Sequence, residues 1–128
     1  MGQFVYPFRT KTPELISIHA RILGVGAGAP TKEFGEGVTF TRDGVGLYTV
    51  TFAENNGKFM GAEGAFFVNT LAASTARVVQ FDFDSYTGSS PYALAFAVHD
   101  VATPTVAELA AAQRIWLSFY FRRTGVTG

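Results

Sequence analysis

The sequence predicts an all-β domain, a β-sandwich or jelly roll of about seven to eight antiparallel strands preceded by an extended N-terminal arm. Three observations point there. Apolar and polar residues alternate with a period of two in stretch after stretch between Glu14 and Phe121, the pattern of a strand with one buried face. Breaks rich in Gly, Asn and Pro separate those stretches at short intervals, as turns do. Helix propensity is confined to one alanine-rich stretch, 107–112.

Residues 1–13, M-G-Q-F-V-Y-P-F-R-T-K-T-P, are expected to form the arm. Phe4, Tyr6 and Phe8 alternate along it, but Pro7 rules out a central strand and Pro13 ends the segment. Such an arm either folds back on its own sheet or docks its aromatics on a neighbouring subunit; the expectation is that residues 1–12 cross to a neighbour. Glu14–Leu23 follows as a half-buried strand, with Ile16, Ile18, Ala20 and Ile22 on one face and Ser17, His19 and Arg21 on the other. His19 is expected at the surface. Gly24–Pro30 and the residues up to 37 read as loop. The spacing of Gly24, Gly26 and Gly28 does not match a dinucleotide-binding G-x-G-x-x-G, and Pro30 follows where a helix would have to begin.

Val38–Thr41 and Tyr48–Phe52 alternate on either side of Asp43-Gly44 and Gly46, which predicts a hairpin with the Asp-Gly pair supplying positive φ. Asn55-Asn56-Gly57 supplies a second turn, so strands near 38–42, 46–54 and 58–69 are expected to form a meander, with Gly61 and Gly64 marking a bulge or bend. Leu71–Thr75 is a connection. In Ala76–Thr87, Val79, Phe81 and Phe83 are expected inside and Gln80, Asp82 and Asp84 outside. After a turn at Gly88–Pro91, Tyr92–His99 places Leu94, Phe96 and Val98 inward and Ala93, Ala95 and Ala97 outward. An alanine-lined outer face suits a surface covered by another sheet, a loop or a partner. In Asp100–Ala112, Thr105 and Glu108 have capping-box spacing, so this stretch is either one or two helical turns or a loop. Arg114–Arg123 is the strongest strand: Ile115, Leu117, Phe119 and Phe121 form the buried set, and Trp116, Ser118, Tyr120 and Arg122 the other face. Aromatics on both faces place a strand centrally or at an interface. The domain thus spans 14–124, and residues 125–128 are expected to fray as a flexible tail.

At 128 residues the chain is one domain. It is 48% hydrophobic and 15% aromatic, which argues against disorder. Only 16% of it is charged, against about 25% in an average domain, and so sparse a surface suits life against another protein. Net charge is zero, without the basic excess of a nucleic-acid binder. Cysteine is absent, which removes disulfides and thiolate chemistry. No apolar run reaches the length of a membrane span. The start lacks a secretory signal pattern, so a soluble, unprocessed protein is expected.

No catalytic residue is predicted. G-x-S-x-G is absent, and His99-Asp100, adjacent in the chain, would point to opposite faces of a strand. No cofactor and no metal are expected. Asp82 and Asp84, two apart on one strand face, could hold calcium with Asp100 or Glu54, but a solvated strand face is the expectation. Trp116 and Tyr120 could form a sugar-stacking platform, although Asn and Asp are few at the loop tips.

T-R-D-G-V-G-L-Y-T-V-T-F, then R-V-V-Q-F-D-F, then R-I-W-L-S-F-Y-F together resemble small tailed-phage virion proteins. In these an R-x-G-x-G-x-Y-x-V-x-F hairpin precedes two core strands, and the chain ends on an R-[VI]-x-[VL]-x-[FV] strand. The resemblance covers roughly residues 15–123 and is closest to capsid decoration, or cement, proteins. It implies a jelly-roll or sandwich domain that oligomerises on the outside of the major capsid shell and reinforces it, assembled in the host cytoplasm. It implies no cofactor and no activity. The expected partners are the major capsid protein and other copies of the chain, not nucleic acid or membrane. Phe4, Tyr6, Phe8, Trp116 and Tyr120 are the candidate contacts. The alternative is a head-fibre, tail or baseplate module that binds a host-surface glycan.

Overall fold

The computed structural model describes residues 14–69, 71, 76–102 and 105–123. Phe4, Tyr6 and Phe8, and the tail at 125–128, lie outside the described residues. Eight strands follow one another: β1 (Glu14–Leu23), β2 (Thr31–Phe34), β3 (Val38–Gly44), β4 (Leu47–Phe52), β5 (Lys58–Phe67), β6 (Arg77–Asp82), β7 (Tyr92–Asp100) and β8 (Arg114–Arg123). They form two antiparallel sheets, sheet A in the order β2-β1-β8-β5 and sheet B in the order β3-β4-β7-β6. The fold is an all-β sandwich. Three connections stay within a sheet and four cross between sheets; this order supports the sandwich and goes no further toward a jelly roll. Among the described residues no helix is long and apolar enough to cross a membrane.

β8 is central in sheet A. It pairs with β1 along the full length of both strands and with β5 on its other side. Its alternation works as expected: Ile115, Leu117, Phe119 and Phe121 are fully buried. Ala20 and Ile22 of β1 join them, and from sheet B come Val38, Phe40, Tyr48, Val50, Phe52, Leu94, Phe96 and Val98. The two sheets meet through edge-to-face rings. Phe52 lies 5.1 Å from Phe119 and 5.0 Å from Phe121, and Phe81 reaches Phe119 at 6.1 Å, distances and tilts that ring quadrupoles favour.

Several local expectations are corrected. β2 falls where loop was expected. Its four residues are all exposed, so no periodicity announces it; it exists because its backbone pairs with the end of β1. The β3–β4 hairpin forms, but its turn is Val45-Gly46. Gly44 pairs with Leu47, the ladder shifts between Arg42 and Gly44, and the positive φ, 68°, belongs to Gly46. The expected meander of three strands does not form. β4 gives its second edge to β7, and β5 crosses to sheet A to pair with β8. The Asn-Gly turn is therefore a corner between sheets, closed by the Gly57 amide donating to Asn55 Oδ1 at 2.9 Å. A bulge does occur in β5, between Phe59 and Gly61.

Phe83 is not core but 57% exposed. β6 ends at Asp82 and residues 83–85 make a 3₁₀ turn. The Ser85 hydroxyl donates to the Asp82 carbonyl at 2.7 Å and accepts from the Ala95 amide at 2.8 Å, which ends the period of two one residue before Phe83. The ring instead lies 5.4 Å from Phe59.

No helix occurs in the described part of 100–113; the only helical residues described are 83–85. The segment runs extended beside β7. Val106 bridges His99, and the Ala107 amide donates to the Val98 carbonyl at 2.9 Å. Leu109 is buried, its amide donating to the Tyr48 hydroxyl at 2.9 Å. Glu108 does not cap a helix. Arg42 donates to it, with Nη2 at 2.8 Å from Oε2, and so does the Gly46 amide at 3.0 Å. The hydrogen bond from Arg42 holds the Glu108 carboxyl below the ordinary glutamate value; burial opposes this, and the Gly46 amide and the Arg42 charge assist it. A depressed folded-state pKa contributes stability that is present above the unfolded value and lost as pH falls through the folded one. The melting temperature of the native chain should therefore exceed that of Glu108→Gln at neutral pH, and the gap should close on acidification below 4.5. A gap that stays constant from neutral to acid pH would show that the latch carries no charge-dependent stability.

Candidate functional site

With one face of each sheet in the core, the chemistry available to a partner lies on the two outer faces. On sheet A, alternation along β8 sends Trp116, Ser118 and Tyr120 outward, and the β1 ladder sets Arg21 opposite Trp116 and His19 opposite Ser118. The Trp116 ring stacks with Phe34, at 5.5 Å and 18°, and with His19, at 5.8 Å and 21°. This stacked row spans β2, β1 and β8. His19 Nδ1 lies 2.9 Å from Ser118 Oγ, which fixes the ring in place. His19 is thus half-buried in the row, where the sequence suggested plain surface.

Glu33 closes one side of the row. Its Oε1 accepts from Arg114 Nε at 2.8 Å and from Arg21 Nε at 3.0 Å. The Arg114 hydrogen bond comes first in holding this carboxyl below its ordinary value; burial opposes it, and the charges of both arginines add to the lowering. Tyr120 lies further along the face, its hydroxyl donating to Glu63 Oε1 at 3.0 Å. A shallow hollow of about 450 Å³ sits beside the row, lined by Ser17, Ile18, His19, Phe34, Gly35 and Glu36. Trp116 and Tyr120 therefore share the face the sequence assigned to them. Phe34 and His19 were missed, because only strand pairing, of β2 with β1 for Phe34 and of β1 with β8 for His19, brings them to Trp116.

On sheet B the outer face is lined by Ala93, Ala95 and Ala97 of β7, all half-buried. It forms a concavity of about 590 Å³ whose floor includes Ala95 and Ala97, with Leu47 and Phe83 as apolar walls and Asp43, Asp82 and Asp84 on its margin. Leu47 is 43% exposed.

Asp82 and Asp84 do not share a strand face, because β6 ends between them. Among the described residues no three His, Asp or Glu side chains converge as metal ligands would. His19 and His99 lie on different sheets, and His99 Nε2 sits 2.9 Å from Gln80 Oε1. These surfaces can bind by stacking, apolar contact and ion pairing. No protein-family model, no curated protein and no solved structure matches the chain.

Proposed function

We propose that the chain is a structural protein of a tailed-phage virion: a decoration protein that binds the outside of the major capsid shell and stabilises it. The observation that carries this reading is that both outer faces of the sandwich offer apolar surface. Sheet A presents the Phe34–Trp116–His19 row and sheet B the alanine-lined hollow. An interface core is depleted of charge and enriched in aromatics, and the low charged fraction of 16% fits such a surface. The resemblance of its strand motifs to those of small virion proteins supports that location. Shells lacking the chain, mixed with purified protein, should bind it and release their contents at a higher temperature than bare shells. Phe34→Ala, at a residue 53% exposed, should lower occupancy while the free domain melts almost unchanged. Failure of the native protein to bind or protect shells overturns the reading.

A second reading, a fibre, tail or baseplate module for a host glycan, is favoured by the same aromatic row. A ring face beside the Glu33–Arg21–Arg114 cluster could stack a sugar and hydrogen-bond its hydroxyls. In that case Phe34→Ala would abolish binding to host surface polysaccharide and leave shell occupancy untouched.

A further inference from the structure

We propose that Arg21 and Arg114, drawn together by Glu33 beside the aromatic row of sheet A, anchor a carboxylate on the surface of a protein partner. The inference rests on the reading of this face as a docking surface and names the chemistry of what docks there.

The arginine pair is only partly neutralised. Arg21 Nε and Arg114 Nε donate to the same oxygen, Glu33 Oε1, at 3.0 and 2.8 Å. Two like charges are thereby gathered over a single carboxylate, and one positive charge stays unbalanced. Neither arginine makes another hydrogen bond or ion pair among the described residues. Of the several N–H donors on each guanidinium, only the Nε–H is used, and the Nη ends are left. Both side chains reach solvent, with 46% and 34% of their surface exposed. A pair of N–H groups on one guanidinium matches the two oxygens of a carboxylate, the arrangement in which arginine binds most strongly. A second carboxylate, set across the pair from Glu33, would restore the balance of charge.

The chain holds no spare acid to fill that place. Residues 1–13, 70, 72–75, 103–104 and 124–128 contain no Asp or Glu. Among the described residues only Glu33 forms an ion pair with Arg21 or Arg114. The balancing side chain therefore belongs to another molecule, and opposite potentials of this kind steer and register an association.

What surrounds the pair selects a protein. Trp116 lies opposite Arg21 in the ladder and stacks with Phe34 and His19. Phe34 is exposed, and Tyr120 is on the same outer face. Trp, Tyr and Arg are the residues that carry most of the binding energy where proteins meet. The face is also open. The hollow beside the row is shallow, whereas sites for small molecules are clefts that enclose most of the ligand. Apolar rings with an unbalanced cation at their margin fit an acidic residue set among apolar ones on a broad surface.

Trp116 is the only tryptophan of the chain, so tryptophan fluorescence reads this site alone. The full-length protein is titrated with a capped oligoglutamate peptide, with oligoglutamine as the neutral counterpart. The acidic peptide should give a saturable change that weakens as salt rises, and the neutral one none. Arg21→Gln with Arg114→Gln should weaken binding about tenfold or more, the scale of one hydrogen bond to a charged group. Arg122→Gln, further along the same strand face, should leave it unchanged. Glu33→Gln keeps an oxygen for both Nε groups and removes the competing charge, so it should bind the peptide more tightly, a gain that damage to the fold could not produce. No saturable response, equal binding by the double arginine variant, or no gain in Glu33→Gln overturns the inference. A response confined to oligogalacturonate, which would put an acidic glycan there, overturns it as well, and so does a native dimer in sedimentation velocity that the arginine substitutions dissolve. The shell experiment separates this inference from the capsid reading. Native protein that protects shells equally with and without the two arginines overturns the anchor alone. Native protein that ignores shells yet binds the peptide through them overturns the capsid assignment alone.

Discussion

Replacing Phe119 with alanine is expected to destabilise the domain by about 3–5 kcal/mol, the usual cost of emptying a buried phenylalanine site. The ring is fully buried at the middle of β8, the strand that both β1 and β5 pair with. It meets Phe52 edge-on at 5.1 Å and Phe81 at 6.1 Å, so it joins the two sheets as well as filling space. Its neighbours cannot collapse into the vacancy, since each is held by its own strand register. Chemical denaturation of native and variant chains measures the difference. A loss below about 1 kcal/mol, the level of a surface substitution, would mean that the core does not depend on this seam.

Gly46→Ala should cost about 2–4 kcal/mol, within the upper range for single substitutions with a named steric cause. Gly46 has φ 68°, and an L-residue in that left-handed region carries a penalty of about 1–2 kcal/mol. A Cβ there would also stand 2.7 Å from the Ala107 nitrogen, 2.8 Å from the Ala107 oxygen and 2.9 Å from the Val98 oxygen. These are backbone atoms and cannot rotate away. The Gly46 carbonyl meanwhile accepts from the Val98 amide at 2.8 Å, and its own amide donates to Glu108. Any shift that admits the methyl group therefore loosens the segment carrying Leu109. Gly37→Ala is the control: its φ is 79°, but a Cβ meets nothing within 4 Å, so it carries the conformational penalty alone. Equal losses at the two sites would contradict the steric account.

β1, β7 and β8 were legible in the sequence nearly to their ends, because one buried face forces a period of two and Gly, Asn or Pro marks where it stops. The buried set of β8 was legible for the same reason. Periodicity reports that a face is buried but not which sheet it belongs to; hence β5 was expected beside β4 and lies beside β8. β2 was invisible because all four of its side chains are exposed. The end of β6 depends on Ser85 reaching Ala95, ten residues on, and no local pattern encodes that contact. The outer faces divide in the same way. Trp116, Tyr120 and the alanines of β7 follow from alternation alone. Phe34 and His19 join Trp116, and Leu47, Phe83 and the aspartates converge, only through strand pairing and the 3₁₀ turn.

The capsid assignment is tested most directly by the copy number of the chain in purified virus particles, measured by quantitative mass spectrometry against the major capsid protein. A decoration protein covers the shell lattice, so the account predicts hundreds of copies per particle, in a fixed ratio to the capsid protein. A few copies, or a few dozen, would place the chain on a tail, fibre or baseplate and contradict it.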